Sequence, residues 1–322
     1  MKRWYNPYSF YVNIIFICIT GGVSVKDHSR AWSTEARLQF IEFRLYWEGR
    51  INRGDLTQHF GISVPQSSID LRRYVELAPE NVEYDTKRKA YFATTGFQPK
   101  LITPSARDYL AQLEMLQAEQ DSPFSHESFV SSPPSFDSVP LPDRVVQPST
   151  LRAIIKAIRE GNAINILYQS MTRPEPTNRW ISPHAIGSDG FRWHIRAYCH
   201  ERNRFSDFVF GRILDLADTK ESNAKPEDDN EWNTLVELTI APNPVLPEAH
   251  QRVIELDYGM ENSQVKLVVR KALASYLKKR LGLIKDIAGK SAESDSTIAK
   301  QHIHLMSEVD LPSSSASVES AT

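Results

Sequence analysis

The sequence predicts an α+β chain: a winged helix–turn–helix first, a small, strongly bent β-barrel in the middle and a mixed α/β segment last. Three observations predict it. Residues 33–75 carry three helical patterns joined by a glycine turn, and a pair of short strands around a basic turn follows. Residues 163–214 read as successive short strands separated by turn residues, the spacing of a small barrel. Residues 234–281 alternate strand, helix, strand, helix. At 322 residues the chain has room for about two domains, or three small ones.

In the first block, Ser33-Thr34-Glu35-Ala36 can cap a helix running to about Trp47, with Leu38, Ile41 and Leu45 at helical spacing and Gly49 to end it. Asp55 to Phe60 is a short second helix, and Gly61-Ile62-Ser63 is a tight turn. Ser63 then caps a third helix over Val64 to Val75, with Ile69, Leu71 and Tyr74 available for packing. Asn81–Tyr84 and Ala90–Thr94 are strands, and Asp85-Thr86-Lys87-Arg88-Lys89 turns between them. Pro104–Gln120 is a further helix. Residues 121–148 are rich in Ser and Pro and read as a linker or loosely packed loop.

A helix over Pro148–Glu160 opens the second block. Its strands are Ala163–Tyr168, Arg179–Ala185, Phe191–His200 and Arg204–Leu214. Lys220–Glu231 reads as an acidic linker. The last block is strand Thr234–Ile240, helix Pro247–Tyr258, strand Gln264–Val269 and helix Ala272–Leu281, and past Ala288 the chain is a polar, Ser-rich tail. The organisation expected is therefore 1–30 an N-terminal extension, 31–98 a winged domain, 99–150 a helix and linker, 151–219 the barrel, 230–288 an α/β extension and 289–322 a tail.

Residues 1–30 stand apart. A basic Met1–Arg3, an apolar Phe10–Ile19 and then Gly21, Gly22 and Ser24 resemble a weak signal peptide, too short to span a bilayer as a helix. A signal or anchor, an extra packed segment and an upstream extension of the reading frame all fit. The extension is favoured, because everything after Arg30 reads as cytoplasmic and non-membrane.

The whole chain has 38 Lys and Arg against 40 Asp and Glu, a net charge of -2, which excludes a histone-like polyanion binder. Locally the balance shifts. Residues 151–216 hold ten basic side chains, nine of them Arg, against six acidic ones, whereas residues 217–322 hold 12 against 17. Arginine's planar fork grips phosphate or carboxylate at two points, so the middle block is a candidate anion site. Two cysteines, Cys18 and Cys199, exclude a disulfide framework or a multi-cysteine zinc site.

The helix–turn–helix is the first functional constellation. A DNA-reading helix needs a neighbour holding it at a fixed angle, and Asp55-Leu56-Thr57-Gln58-His59-Phe60-Gly61-Ile62-Ser63 fits that turn. Beyond the Ser63 cap, the third helix places Gln66, Ser67, Ser68, Arg72 and Arg73 on exposed positions, residue types that hydrogen-bond base edges and phosphates. Lys87, Arg88 and Lys89 fit a wing lying on the phosphate backbone. The competing reading is a structural three-helix domain with a solvated charged turn. The order helix, turn, helix, basic hairpin favours DNA.

The barrel is the second. Along 192–200, Trp193, Ile195, Ala197 and Cys199 share one face, and Arg192, His194, Arg196, Tyr198 and His200 the other. Tyr168 and Ser170 end the first strand, His184 follows Pro183, and Arg204 and Arg212 flank the fourth strand. Together with Arg196 they form a candidate cluster for an anion: a nucleotide, an oligonucleotide end or a single strand. Taken singly, Trp193 reads as core, Tyr168 and Phe208 also fit packed aromatics, and a lone His184 fits a structural role. Arg196 is harder to dismiss, since a buried Arg needs a partner and an exposed one invites an anion. Neither GxxxxGK nor GxGxxG occurs, no catalytic residues can be assigned, His302 and His304 have no companions for a metal, and no cofactor is implied.

Arg192-Trp193-His194-Ile195-Arg196-Ala197-Tyr198, followed by Phe205-Ser206-Asp207-Phe208-Val209-Phe210-Gly211-Arg212-Ile213, resembles the WYL domain. Its name-giving triplet falls on Trp193-His194-Ile195, with Tyr and Leu both replaced. The stretch Arg37 to Arg53 is similar to the start of the WYL repressors found beside bacterial phage-defence operons, the BREX- and CBASS-associated regulators. The resemblance spans Trp32 to Leu281. It implies a winged helix–turn–helix, an Sm-like β-barrel WYL domain and a C-terminal α/β dimerisation domain. It further implies a non-enzymatic homodimeric repressor that binds an inverted-repeat operator in double-stranded DNA and senses a nucleotide or nucleic-acid effector. The family's ligand cluster maps onto Tyr168, Ser170, His184 and Arg204, with Arg196 and Arg212 close by. The alternative is an RNA- or single-strand-binding accessory protein acting through the barrel.

Overall fold

The structure is a computed structural model and describes residues 33–119, 128–139, 141–142, 144–283 and 301–312. The extension at 1–30 therefore lies outside the described residues, as does most of the tail. The chain divides near residue 140 into two compact units. No helix among the described residues is long and apolar enough to cross a membrane.

The first unit is built by its caps. Helix α1 (Thr34–Glu48) starts where the Ser33 hydroxyl accepts from Ala36 N–H, and stops at Gly49, whose φ of 73° is the left-handed turn glycine takes at no steric cost. Strand β1 is the two-residue Arg50–Ile51. Asn52 and Asp55 form a reciprocal capping box for α2 (Arg53–Phe60), which starts two residues earlier than the sequence predicts. Ser63 caps α3 (Val64–Leu77), with Pro65 in its first turn. Strands β2 (Val82–Asp85) and β3 (Ala90–Ala93) complete a sheet of order β1-β3-β2. Leu38, Ile41, Leu45, Ile51, Leu56, Leu71 and Tyr74 fill the core between them.

Glu42, fully buried on α1, locks this core. Its carboxylate accepts from the Tyr74 hydroxyl at 3.0 Å and from the backbone N–H groups of Lys100, Leu101 and Ile102. Burial, and then the Glu42 charge, push the Tyr74 phenol well above its ordinary range. Helix α4 (Ala106–Glu119) follows. Part of the expected loose linker is packed: Phe129 and Val130 sit against Phe43 and Leu113, and Glu48 accepts from Ser131 and Ser132 N–H.

The second unit opens with α5 (Pro148–Glu160), which covers one face of a five-stranded antiparallel sheet. The strands are β4 (Asn162–Tyr168), β5 (Thr177–Ser188), β6 (Trp193–Cys199), β7 (Arg204–Val209) and β8 (Ile213–Glu221), in the order β7-β6-β5-β4-β8. One correction arises here. The expected fourth strand, 204–214, is two strands, because the chain turns at Phe210–Arg212, where Gly211 passes so close to the Val145 carbonyl that a Cβ would sit 2.9 Å from it. Among the described residues no ladder joins β7 to β8, and the sheet is bent by ladder irregularities at Pro183/Ala185 and Ile164/Ile166.

The expected acidic linker continues β8, then makes a helical turn at Pro226–Asp228 and the short helix α6 (Asn230–Asn233). Beyond it, β9 (Leu235–Pro242), α7 (Glu248–Tyr258), β10 (Val265–Arg270) and α8 (Lys271–Arg280) follow the predicted order. The tail is corrected. Ile303–Asp310 is strand β11, paired antiparallel with β9, so the sheet reads β10-β9-β11 and buries Ile303. Its apolar residues, Ile303, Leu305, Met306 and Val309, stand among polar neighbours, and pairing with the distant β9 makes the segment a strand.

Candidate functional site

On α3 the exposed stripe is Pro65, Ile69, Arg72, Arg73 and Glu76, spaced 4, 3, 1 and 3 residues apart along one helical face. Arg72 and Arg73 make no ion pair among the described residues. Ser63 is exposed as the cap, and Gln66 and Ser68 are half-buried at the stripe's edge. Ser67 is a correction: it is fully buried, and its hydroxyl donates to the Val64 carbonyl at 2.9 Å, so it does not face solvent. Ile69 is the converse, expected to pack but 54% exposed. An error in helical phase exchanges the two.

The wing follows from Asp85. Its carboxylate accepts from the backbone N–H of Lys87 and Arg88, closing the turn and holding Asp85 below the usual carboxylate range, the Arg88 N–H being the largest cause. Lys89 takes a positive φ of 52° to complete it. Lys87, Arg88 and Lys89 are all exposed, and Arg88 leans over the Phe92 ring and lies 3.7 Å from Asp85.

In the second unit the structure splits the expected anion cluster. His184 and Arg196 meet at Asp229, and Arg204 lines the same cavity as Arg196. Arg196 is 4% exposed in mid-β6, and its Nε and Nη2 donate to the two oxygens of Asp229 at 2.7 and 2.9 Å. Its Nη1 reaches Asp207 at 3.1 Å and its Nη2 also Glu231 at 2.7 Å. His184 Nε2 meets Asp229 at 2.9 Å. Burial pulls the Arg196 guanidinium down, but Asp229, Glu231 and Asp207 outweigh it and hold the group above its usual range. Burial likewise works against the Asp229 carboxylate, and Arg196, His184 and the Trp232 N–H together hold it below normal.

Arg196 and its three carboxylates border an open cavity of about 520 Å³ lined also by Arg202, Arg204 and Tyr276, among others, while His184 lies outside that lining, on a separate small cavity with Ser182 and Ser222. The Tyr276 hydroxyl, on α8, donates to Asp207 at 3.0 Å, so the C-terminal segment walls the cavity. Burial, then Asp207, push that phenol well above its ordinary range.

Tyr168, Ser170 and Arg212 lie elsewhere. Tyr168 is in the core, accepting from Val209 N–H at 3.1 Å under the Arg179 guanidinium. Ser170 accepts from Arg173 N–H in the following loop. Arg212 ends the 3-10 turn, its carbonyl accepting from Gln169 N–H. Trp193 is a further correction: it is 54% exposed at the start of β6, while Ile195, Ala197 and Cys199 on its face are buried. It stands at the end of its strand, beyond the part of the sheet that α5 covers. Asp229, Glu231, Arg202 and Tyr276 were missed by sequence reasoning. The sole signal was that a mid-strand Arg196 demands a carboxylate.

Comparison with known proteins decides the kinship. A family model for the BrxR transcriptional regulator winged helix-turn-helix domain matches residues 33–115, one for the WYL domain matches 149–217, and one for the BrxR transcriptional regulator C-terminal dimerization domain matches 235–309. The chain is 39% identical over 262 residues to the DNA-binding transcriptional repressor CapW of Pseudomonas aeruginosa, covering 81% of this chain and 87% of that protein. It belongs to the CapW family. Two further CapW repressors agree: that of Stenotrophomonas maltophilia is 41% identical, covering 84% of this chain and 89% of its own, and that of Escherichia coli (strain KTE188) 38%, covering 78% and 84%. In this CapW-family chain the dimerization match includes β11, in accord with its place beside β9.

Proposed function

We propose that the chain is a homodimeric, cytoplasmic, DNA-binding transcriptional repressor of a phage-defence or related operon. Helix α3 reads an inverted-repeat operator, with Gln66, Ser68, Arg72 and Arg73 at the groove, Ser63 at the helix start and Lys87, Arg88 and Lys89 on the flanking backbone. The observation that carries this reading is the exposed Arg72–Arg73 stripe on a helix capped and braced within the same unit as an exposed basic wing. Phosphate contacts fix register, and the half-buried amide and hydroxyl at the edge of the stripe read bases.

The WYL domain senses a nucleotide or nucleic-acid effector through the cavity at Arg196 and Arg204, with His184 acting from behind it through its bond to Asp229. Tyr168, Ser170 and Arg212 act as supports at the other end of β4. The Sm-like form of the domain is supported by its helix-first, five-strand order. A footprint on the duplex upstream of its own gene, at two salt concentrations, tests the reading. A protected inverted repeat supports it, and binding to single strands alone refutes it.

A further inference from the structure

The cavity at Arg196 is not cationic as it stands. Its lining has three Arg, at 196, 202 and 204, against four acids, Asp207, Asp228, Asp229 and Glu231. Two of the carboxylates on Arg196 are built in. Asp229 is buried and also accepts from His184 and from Trp232 N–H, and Asp207 is held by Tyr276. Glu231 is different. Its side chain is 63% exposed, and its only hydrogen bond among the described residues is the one it accepts from Arg196 Nη2 at 2.7 Å. Arg202 and Arg204, on the same cavity, have no carboxylate partner among the described residues.

We propose that Glu231 is a built-in competitor for the effector: its carboxylate holds the place on Arg196 that one phosphate group of an anionic effector takes. The inference rests on the cavity being the effector site. A phosphate matches a carboxylate as an acceptor for one arm of a guanidinium, and carries more charge. An exposed glutamate loses little on returning to water, whereas buried Asp229 does not leave. The incoming group reaches Arg196 Nη2 and spreads its remaining charge onto Arg202 and Arg204. The ligand class is thus a nucleotide or oligonucleotide end with a terminal phosphate.

The displacement has a mechanical path. Glu231 lies in α6, and the next residue, Trp232, packs edge-on against His184 and beside Gly187. The Trp232 carbonyl accepts from Arg270 Nη1 and the Thr234 carbonyl from Lys271 N–H, and β9 begins at Leu235. Release of Glu231 therefore loosens the segment that enters the C-terminal sheet.

The test is calorimetric titration of the full chain with the 5′-phosphorylated dinucleotide pTpT and, in parallel, with inorganic phosphate. Glu231→Gln should bind about tenfold more tightly than the unaltered chain, because the competing charge is gone. Glu227→Gln, an exposed acid nearby that does not touch Arg196, should bind as the unaltered chain does. A gain for both ligands assigns the place to a free phosphate, and a gain for pTpT alone to an oligonucleotide end. Equal gains in Glu227→Gln and Glu231→Gln overturn the competitor in favour of general charge. Equal affinity in Glu231→Gln and the unaltered chain also overturns it, while loss of that binding in Arg204→Ala leaves the cavity's effector role standing. Binding by neither form overturns both.

Discussion

Arg37 on α1 grips Asp70 on α3 with two hydrogen bonds, Nε to Oδ2 at 2.7 Å and Nη2 to Oδ1 at 3.3 Å, and both residues are buried. Asp70 in turn accepts from Gln66 Nε2 at 3.0 Å. One ion pair thus fixes the angle between the two helices and the orientation of an amide at the edge of the exposed stripe. In the proposed readout, the amide oxygen of Gln66 is the acceptor this leaves for a base edge.

The readout divides accordingly. Lys87→Ala with Arg88→Ala should weaken operator and random duplex alike, and lower the salt slope by about one unit for each phosphate no longer neutralised. Gln66→Ala should instead shrink the ratio of operator to random binding. Ser67→Ala, whose hydroxyl is turned to Val64, should leave that ratio unchanged. Binding isotherms at three salt concentrations separate these cases, and equal losses for Gln66→Ala on both duplexes would sink the recognition assignment.

Asp70→Ala takes from the buried Arg37 charge the carboxylate that it grips with two hydrogen bonds. Removing one member of a buried pair costs about 3–5 kcal/mol. The urea midpoint of the first unit should fall correspondingly, with m unchanged. A loss under about 1 kcal/mol, the range of a surface pair, would show that Arg37 relaxes to solvent.

Much of the first unit was legible because its signals are local: Ser33 and Ser63 cap helices from three residues away, and Asp85 closes its own turn. What failed was helical phase, which misplaced Ser67 and Ile69, and every feature made by distant partners. Asp229 lies 33 residues from Arg196, and β11 finds β9 some 60 residues earlier. The sequence marked Arg196 as needing a partner but carried nothing to choose Asp229 over its acidic neighbours, since the choice is made by where the sheet and α6 meet.

The depressed Asp229 carboxylate has a pH consequence. A folded pKa below the unfolded one adds stability that is present above the unfolded value, about 4, and lost as pH falls through the folded value. At neutral pH the contribution is complete. Asp229→Asn should therefore lower stability at pH 7 and flatten the acid limb below pH 4. Asp189, held down by His194 and two backbone N–H groups against the effect of burial, keeps part of that limb in the variant. Parallel acid limbs for the two proteins, in urea midpoints at pH 7, 4 and 3, would show that Asp229 stays ionised or is compensated elsewhere.

Ending the chain at residue 300 tests β11. β9 is the central strand of its sheet, and removing β11 strips its hydrogen bonds along Val236–Pro242 on one side. It also withdraws Ile303 from a core shared with Ile240 and Ile254, worth about 1.5–3 kcal/mol for that side chain alone. An exposed, unpaired central strand invites non-specific pairing. The truncated chain should melt lower and, in light scattering, lose the defined dimer to monomer or aggregate, with operator affinity falling because two half-sites are no longer held at once. An intact dimer with unchanged melting would show that the interface does not need β11 and reduce that strand to a dispensable edge.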